Sequence, residues 1–544
     1  MFIRTQTNGD RTYLLLVENE RVAGRVKQKV IARLGRLDEL LASGELDRLL
    51  ASLGRLSEKY VVLGAQARGE ALSTRTRIVG PALIFERLWQ ELGIDAVIKE
   101  AGRGRRFGFE LERAVFLSVL HRLFAPGSDR AAEKWKRDYA IAATEGLELH
   151  QLYRTMAWLG EPLQADAQAL SLRTRKDRIE EALFDRRRDL FTQLSLVFFD
   201  TTSIYFEGQG GQSLGRNGHS KDHRPDLKQM IVGVVLDDSG RPLCSQMWPG
   251  NTTDVTTLLP VVERLRAHFH VGEVCIVADR GMISANVIEQ IEARGWRYIL
   301  GVRMRSTNEA KHQVLARAGR YEVVSQKSDE AKAASPLKVK EVWVEDRRYV
   351  VCLNEDQAAR DRHEREAIVA ALEDALKHGD KKLIGNRGYR KYVKTRGERF
   401  QIDTAKIEAE ARYDGKWVLT SNTELSANEL ALKYKQLWQV EAIFRTMKSQ
   451  LATRPVFHKC DDTIRGHVFC SFLALLLRHE LHARLARNGC EFEWADVMQD
   501  LNRLQEVELE VQGKGYVLRT EAKGSLGKVF QACAVALPVT LRPR

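Results

Sequence analysis

The chain is poor in the features that would place it outside the cell or in a membrane. Its seven cysteines, at 244, 275, 352, 460, 470, 490 and 533, are odd in number and include no CxxC pair. That spacing excludes a zinc ribbon and a disulfide framework. Cys275 lies in the apolar run Val274–Ala278, as expected of a cysteine used as a small hydrophobe in a reducing compartment. The first residues, MFIRTQTNGDRTY, lack the apolar stretch of a signal peptide, and the longest apolar run, around Phe469–Leu477, is far short of a membrane span. There is no internal repeat and no low-complexity tract. The expected site of action is the cytoplasm of a bacterium, close to the nucleoid.

What the chain does have is length and positive charge. At 544 residues it exceeds a single core, and two to four domains are expected. Lys plus Arg is 86 against 73 Asp plus Glu, a net +13 that favours a polyanionic partner. Residues 1–72 look like a small β-rich unit. Tyr13–Val17 and the basic run Lys27–Leu34 read as strands beside the turn Asn8-Gly9-Asp10, and such strands suit either phosphates or a charged sheet edge. Residues 73–190 turn helical, with Ile84, Leu88 and Leu92, then Val115, Val119 and Leu123, at helical spacing, and Pro126-Gly127 as a break. This region ends in the basic residues Arg173, Arg175, Lys176, Arg178 and Arg186–Arg188. A helical, basic module suits DNA-end recognition.

Residues 191–305 change pattern again. Strands are expected at Leu196–Phe206, Gln229–Leu236, Pro242–Trp248, Val274–Ala278 and Tyr298–Val302, with helices from about Thr257 and over Ser284–Arg294. Three meandering strands, then helix-strand-helix-strand, is the order of a ribonuclease H-like α/β core. Residues 306–412 interrupt it and read as an insertion domain, with a charged helix at Gln357–Lys377 and β-like runs at Val342–Leu353 and Lys391–Ile402. The core resumes over 413–485 with a strand at Trp417–Thr420, a helix at about Ala427–Gln450 and further apolar helices; 486–544 form a C-terminal region.

Two carboxylates stand out. Asp200 interrupts an apolar strand, where an unpaired charge is costly, and Asp279 ends the strand Val274–Ala278. In a ribonuclease H-like sheet those strands are neighbours. Two Mg²⁺ ions about 4 Å apart activate the attacking oxygen and stabilise the leaving oxygen of an in-line phosphoryl displacement. Mg²⁺ takes hard oxygen ligands and keeps several waters, so two or three carboxylates suffice. Asp237, Asp238 and Asp254 read as turn or cap residues instead. On the later helix, Tyr434, Glu441 and Lys448 are spaced by seven, nearly two turns, and share one face with Leu437 and Trp438 between them.

With these motifs the chain resembles the DDE insertion-sequence transposases of the insertion-sequence-four superfamily, whose helix signature is Y-x2-R-x3-E-x6-K. Tyr434, Glu441 and Lys448 match it; Leu437 stands where Arg is expected, and Lys435 or Arg445 is the substitute cation. The resemblance includes Phe199-Asp200-Thr201-Thr202, the stretch Gly218–Asp226, Pro249-Gly250-Asn251-Thr252 and Ala278-Asp279-Arg280-Gly281-Met282. It spans about 196–305 and 413–480, and the first 35 residues look similar to the N-termini of one branch. It implies that Asp200, Asp279 and Glu441 bind two catalytic Mg²⁺ ions, with Mn²⁺ able to substitute, and that Tyr434 and Lys448 hold the DNA strand.

Other residues keep open readings. Trp438 either stacks on an unpaired base or packs in the core, the core being favoured. His219, Asp222, His223 and Asp226 have a zinc-like spacing, but a DNA-contacting loop using Lys221, Arg224 and Lys228 is preferred. Arg280 either meets phosphate or braces the carboxylates. The expected activity is binding of double-stranded terminal inverted repeats, cleavage, and joining to target DNA, by a homodimer on DNA. The alternatives are a nuclease without strand transfer and a DNA-binding protein without chemistry.

Overall fold

The computed structural model describes residues 1–22, 25–54, 62, 64–65, 68–69, 72–163, 172–188, 194–269, 271, 274–324, 337–377, 391–396, 399–511 and 513–544. At the N-terminus β1 (Phe2–Asn8), β2 (Arg11–Val22) and β3 (Arg25–Arg36) form an antiparallel sheet. Gly9, at φ +59°, closes the first hairpin in the left-handed region that glycine tolerates. Leu14, Leu15 and Val17 are buried, and the helix Leu37–Ala42 inserts Leu40 against Gly35. The strand β1 was not expected, because every one of its residues is exposed and no apolar alternation marks it.

After β4 (Leu72–Ile78) come the helices Gly80–Glu91, Ile94–Ala101, Leu111–Phe124, Leu149–Gly160 and Arg175–Arg187. Leu111–Phe124 is buried almost all round because it is flanked by its neighbours and by the 27-residue helix Asp461–Arg487. These helices do not keep a separate core. Phe116, Leu120 and Leu159 belong to the same apolar cluster as Phe198, Val232 and Val277 of the central sheet.

Most of the basic run at the end of this region is committed to ion pairs. Arg173 pairs with Glu181, and Arg175 pairs with Glu161 at 2.9 Å. Lys176 is buried between Asp177 at 2.6 Å and Glu180 at 3.5 Å. These pairs hold the helix to its surroundings. Arg178 and Arg186–Arg188 stay exposed.

The central sheet begins with a meander of β5 (Leu196–Tyr205), β6 (Gln229–Asp237) and β7 (Pro242–Pro249). The strands β8 (Cys275–Ala278) and β9 (Arg297–Val302) add in parallel on the other side of β5. The helices Leu258–His268 and Ala285–Ala293 make the crossovers. The resulting order, β7-β6-β5-β8-β9, is the ribonuclease H-like arrangement. Along β5 the pleat sends Phe198 to one core and Val197 and Phe199 to the other, so the sheet is covered on both faces.

The interrupting segment extends this sheet. The strands β10 (Glu322–Val323), β11 (Leu337–Val344) and β12 (Arg347–Asn354) continue it, while β13 (Val393–Arg396) and β14 (Arg399–Ile402) form a separate hairpin. The strand β15 (Lys416–Ser421) lies between β12 and β9, giving nine strands among the described residues. The run Val342–Leu353 is therefore two strands, reversed at Glu345-Asp346 with Glu345 at φ 52°. Val342, Tyr349 and Val351 pack with Met304, Val314 and Val418 beside the core strands.

The helix expected over Ala427–Gln450 is broken. A capping box between Ser426 and Glu429 starts Ala427–Lys435; the chain turns at 436–437, continues as Trp438–Arg445, and widens into a π turn at Thr446–Gln450. Leu430, Leu437, Val440 and Phe444, spaced to share one face, all enter one core. Finally β16 (Gln505–Val511), β17 (Lys514–Arg519) and β18 (Leu541–Pro543) form a sheet with β4. Among the described residues no helix is long and apolar enough to cross a membrane.

Candidate active site

The parallel register of β5 and β8 pairs Phe198 with Val277 and Phe199 with Ala278. Continued by one residue, it sets Asp200 beside Asp279. Phe198 and Val277 enter the same core, so alternation turns both aspartates to that face, which the segment 427–445 covers. An open cleft of about 400 Å³ lies there, lined by Asp200, Asp279, Glu441, Tyr434, Lys435 and Trp438 among others.

Asp200 is partly buried, and its carboxyl is pushed up to about 6, first by burial and then by the neighbouring charges of Asp279 and Asp254; Lys221 opposes the rise. Its Oδ1 accepts the backbone N–H of Thr201 at 2.7 Å. Asp279 Oδ1 accepts the Tyr434 hydroxyl at 3.0 Å. Burial and the adjacent carboxylate keep that phenol protonated, far above its ordinary range. Tyr434 therefore orients a carboxylate directly. Its ring has room because residue 301 is glycine: a Cβ there would collide with the Tyr434 hydroxyl and lie 3.2 Å from the Arg280 nitrogen. Arg303 anchors the turn after Asp279 through the carbonyls of Arg280, at 3.0 Å, and Gly281, at 2.7 Å.

Glu441 is exposed on the helix wall of the cleft. Leu437, at the position where the motif expects Arg, is 6% exposed and belongs to the core, while Lys435 is exposed in the cleft. Trp438 is 58% exposed, which overturns the core reading: its neighbour Leu437 takes the buried side of the turn. Arg280 and Arg445 are also exposed.

Several sequence-selected cations have partners. Lys448 donates to Asp222 Oδ1 at 2.7 Å, and Arg454 pairs with the same carboxylate. Burial holds the Lys448 ammonium below its usual range, against the pull of Asp222. Lys221 turns inward, donating to the carbonyl and hydroxyl of Thr201 at 2.8 and 2.9 Å and pairing with Asp254 at 3.2 Å. Arg224 pairs with Asp226 at 2.8 Å and lies over the Tyr205 ring, and Lys228 donates to the Gln209 carbonyl at 3.3 Å. His219 and His223 are exposed.

One residue set aside as a turn former belongs to the site. Asp254 accepts the Thr201 hydroxyl at 2.7 Å and, with Lys221, braces the strand carrying Asp200. Its position just after Pro249-Gly250-Asn251-Thr252 was the available signal. That motif itself is a close backbone approach, since a Cβ on Gly218 would strike the Gly250 carbonyl.

A hard divalent cation suits two partly buried carboxylates side by side with a third across the cleft. Among the described residues, no three His, Cys, Asp or Glu side chains are gathered closely enough to hold one ion between them. The site thus offers a carboxylate pair and an opposing Glu, not a closed cage.

The comparison with protein families settles the class. Residues 192–477, more than half of the chain, match the transposase DDE domain. The chain is a DDE insertion-sequence transposase. Residues 3–67 match the N-terminal domain of the IS1634 family transposases, which accounts for the separate β-rich unit. No curated protein matches it. Family membership makes DNA the substrate of this transposase and divalent metal ions its cofactor class.

Proposed function

We propose that this transposase binds the terminal inverted repeats of its element, cuts there and joins the freed ends to target DNA. The observation that carries the reading is the register that sets Asp200 beside Asp279, facing Glu441 across one cleft. Asp200, Asp279 and Glu441 would hold Mg²⁺, or Mn²⁺ in its place, which supplies charge stabilisation for the attacking and leaving oxygens. The chain's own residues prepare that site. Tyr434 fixes the rotamer of Asp279, and Lys221 with Asp254 holds the strand of Asp200. Lys435 and Arg280 line the cleft and, like exposed Arg445 one turn beyond Glu441, suit phosphates, and exposed Trp438 suits a base lifted from the duplex end. Lys448 acts through Asp222 unless DNA draws it away. Joining requires two ends held together, so the working form on DNA is a homodimer.

The test is nicking of a supercoiled plasmid bearing the element's ends, with Mg²⁺ or Mn²⁺ added after chelation. Nicking should need the ion and vanish in Asp279→Ala at an unchanged melting temperature. Nicking that survives Asp279→Ala sinks the reading. Joining of a pre-cut end to a second plasmid separates a transposase from a nuclease that only cleaves.

A further inference from the structure

The cleft is proposed to cut, and recognition of a DNA sequence calls for side chains that reach base edges. The N-terminal sheet contains an element suited to that task. The strands β2 and β3 are twelve residues each, and only their inner halves pack. Beyond Val17 they continue as a two-stranded ribbon in which each residue described, Glu18–Arg21 and Val26–Val30, is exposed. Five residues of strand make this arm about 17 Å long at ~3.4 Å per residue. A bare two-stranded ribbon is marginal in water, so its persistence calls for a partner.

The register sorts the arm into two different faces. Glu18 stands opposite Lys29 and Glu20 opposite Lys27, a ladder of opposite charges on one side. Asn19 stands opposite Gln28 and Arg21 opposite Val26, on the other. Val30, opposite Val17, continues that second face; Val26 is 58% and Val30 48% exposed. Arg4 of β1 reaches the same face and donates to Gln28 Oε1 at 2.7 Å, which fixes the amide's orientation. An amide pair flanked by arginine and valine is the side-chain set that reads base edges. Arg recognises guanine, Asn and Gln recognise adenine, and apolar groups meet the thymine methyl. The major groove, about 12 Å wide and 8.5 Å deep, admits a two-stranded ribbon. The charge agrees: residues 1–36 carry eight Lys and Arg against three Asp and Glu, proportionally far more basic than the whole chain's 86 against 73.

We infer that the β2–β3 ribbon enters the major groove of duplex DNA and reads sequence through Asn19, Arg21 and Gln28, with Val26 and Val30 against base methyls. This rests on the transposase reading and supplies its sequence-recognition element, a role the sequence reading gave to the helical region.

The experiment is selection from a pool of random DNA duplexes by the full-length protein in EDTA, so that binding is scored without cleavage. The wild-type chain should enrich a defined sequence. The variant Asn19→Ala/Gln28→Ala should lose tenfold or more affinity for the enriched duplex. It should keep its affinity for a scrambled duplex within about twofold, and keep its melting temperature. Equal affinity of variant and wild type for the enriched duplex overturns the assignment. So does a variant whose defect is loss of self-association by light scattering, since that would make the face a contact between copies. Metal-dependent nicking of supercoiled plasmid by the wild type and by Asp279→Ala, both with the ribbon intact, is run in parallel and keeps failure of the cleft apart from failure of the ribbon.

Discussion

Two clusters of charge sit on this fold within a few strands of each other, and they are built on opposite plans. Where the helix Arg175–Arg187 meets β7 and the helix Leu258–His268, each carboxylate has a cation. Arg264 pairs with Asp177 at 3.0 Å and Glu180 at 2.7 Å, Lys176 joins both, and Ser245 donates to Glu180 at 2.7 Å. Burial alone would raise Asp177, yet Arg264 and Lys176 hold it below the carboxylate range. In the cleft, by contrast, Asp200 and Asp279 stand side by side, and Lys221, which tempers Asp200, bonds to Thr201 and Asp254. A closed network of charge is part of the protein's construction; carboxylates left crowded together mark where something from outside is to bind.

The contrast is open to test because each cluster should fail in a different assay. The largest effect is expected in the closed network. Arg264→Ala leaves Asp177 and Glu180 buried without their main cation, and should cost about 3–5 kcal/mol of stability, seen as a lower melting temperature. A variant as stable as the wild type would break the comparison at its root. In the cleft, Tyr434→Phe removes only the hydrogen bond that orients Asp279. It should lower metal-dependent nicking about ten- to a hundredfold while the melting temperature holds. A loss of stability instead would class Tyr434 with the structural network. A change of similar size belongs to Trp438→Ala, which should weaken end processing by about 1–3 kcal/mol of base stacking and leave melting almost untouched. A marked fall in melting temperature would return Trp438 to the core.

What could be read from the sequence follows from how local each signal is. The strand expected at Gln229–Leu236 is found at Gln229–Asp237, and the helix expected over Ser284–Arg294 at Ala285–Ala293 with Ser284 as its cap, because periodicity and capping are local. The pairing of β12 with β15 was hidden, since the strands are some sixty residues apart and either could have closed a separate domain. The same blindness to partners made Arg173, Arg175 and Lys176 look like a DNA surface when their carboxylates lay on neighbouring turns and loops. It also made Lys221 and Lys448 look free. In the cleft, Asp200 and Asp279 stood out by residue type and strand position and Glu441 by the resemblance, whereas the break at 436–437, with no glycine or proline to announce it, and the exposure of Trp438 were not legible.

The glycine of β9 has an implication for how such an element ages. Gly301 borders the cleft with nothing but a hydrogen, and the Tyr434 phenol occupies the space a side chain would take. Drift at this codon would displace the tyrosine and leave Asp279 unsteadied while each acidic residue survived. A copy could thus fall silent by acquiring one methyl group, and a search for missing carboxylates would pass it as intact.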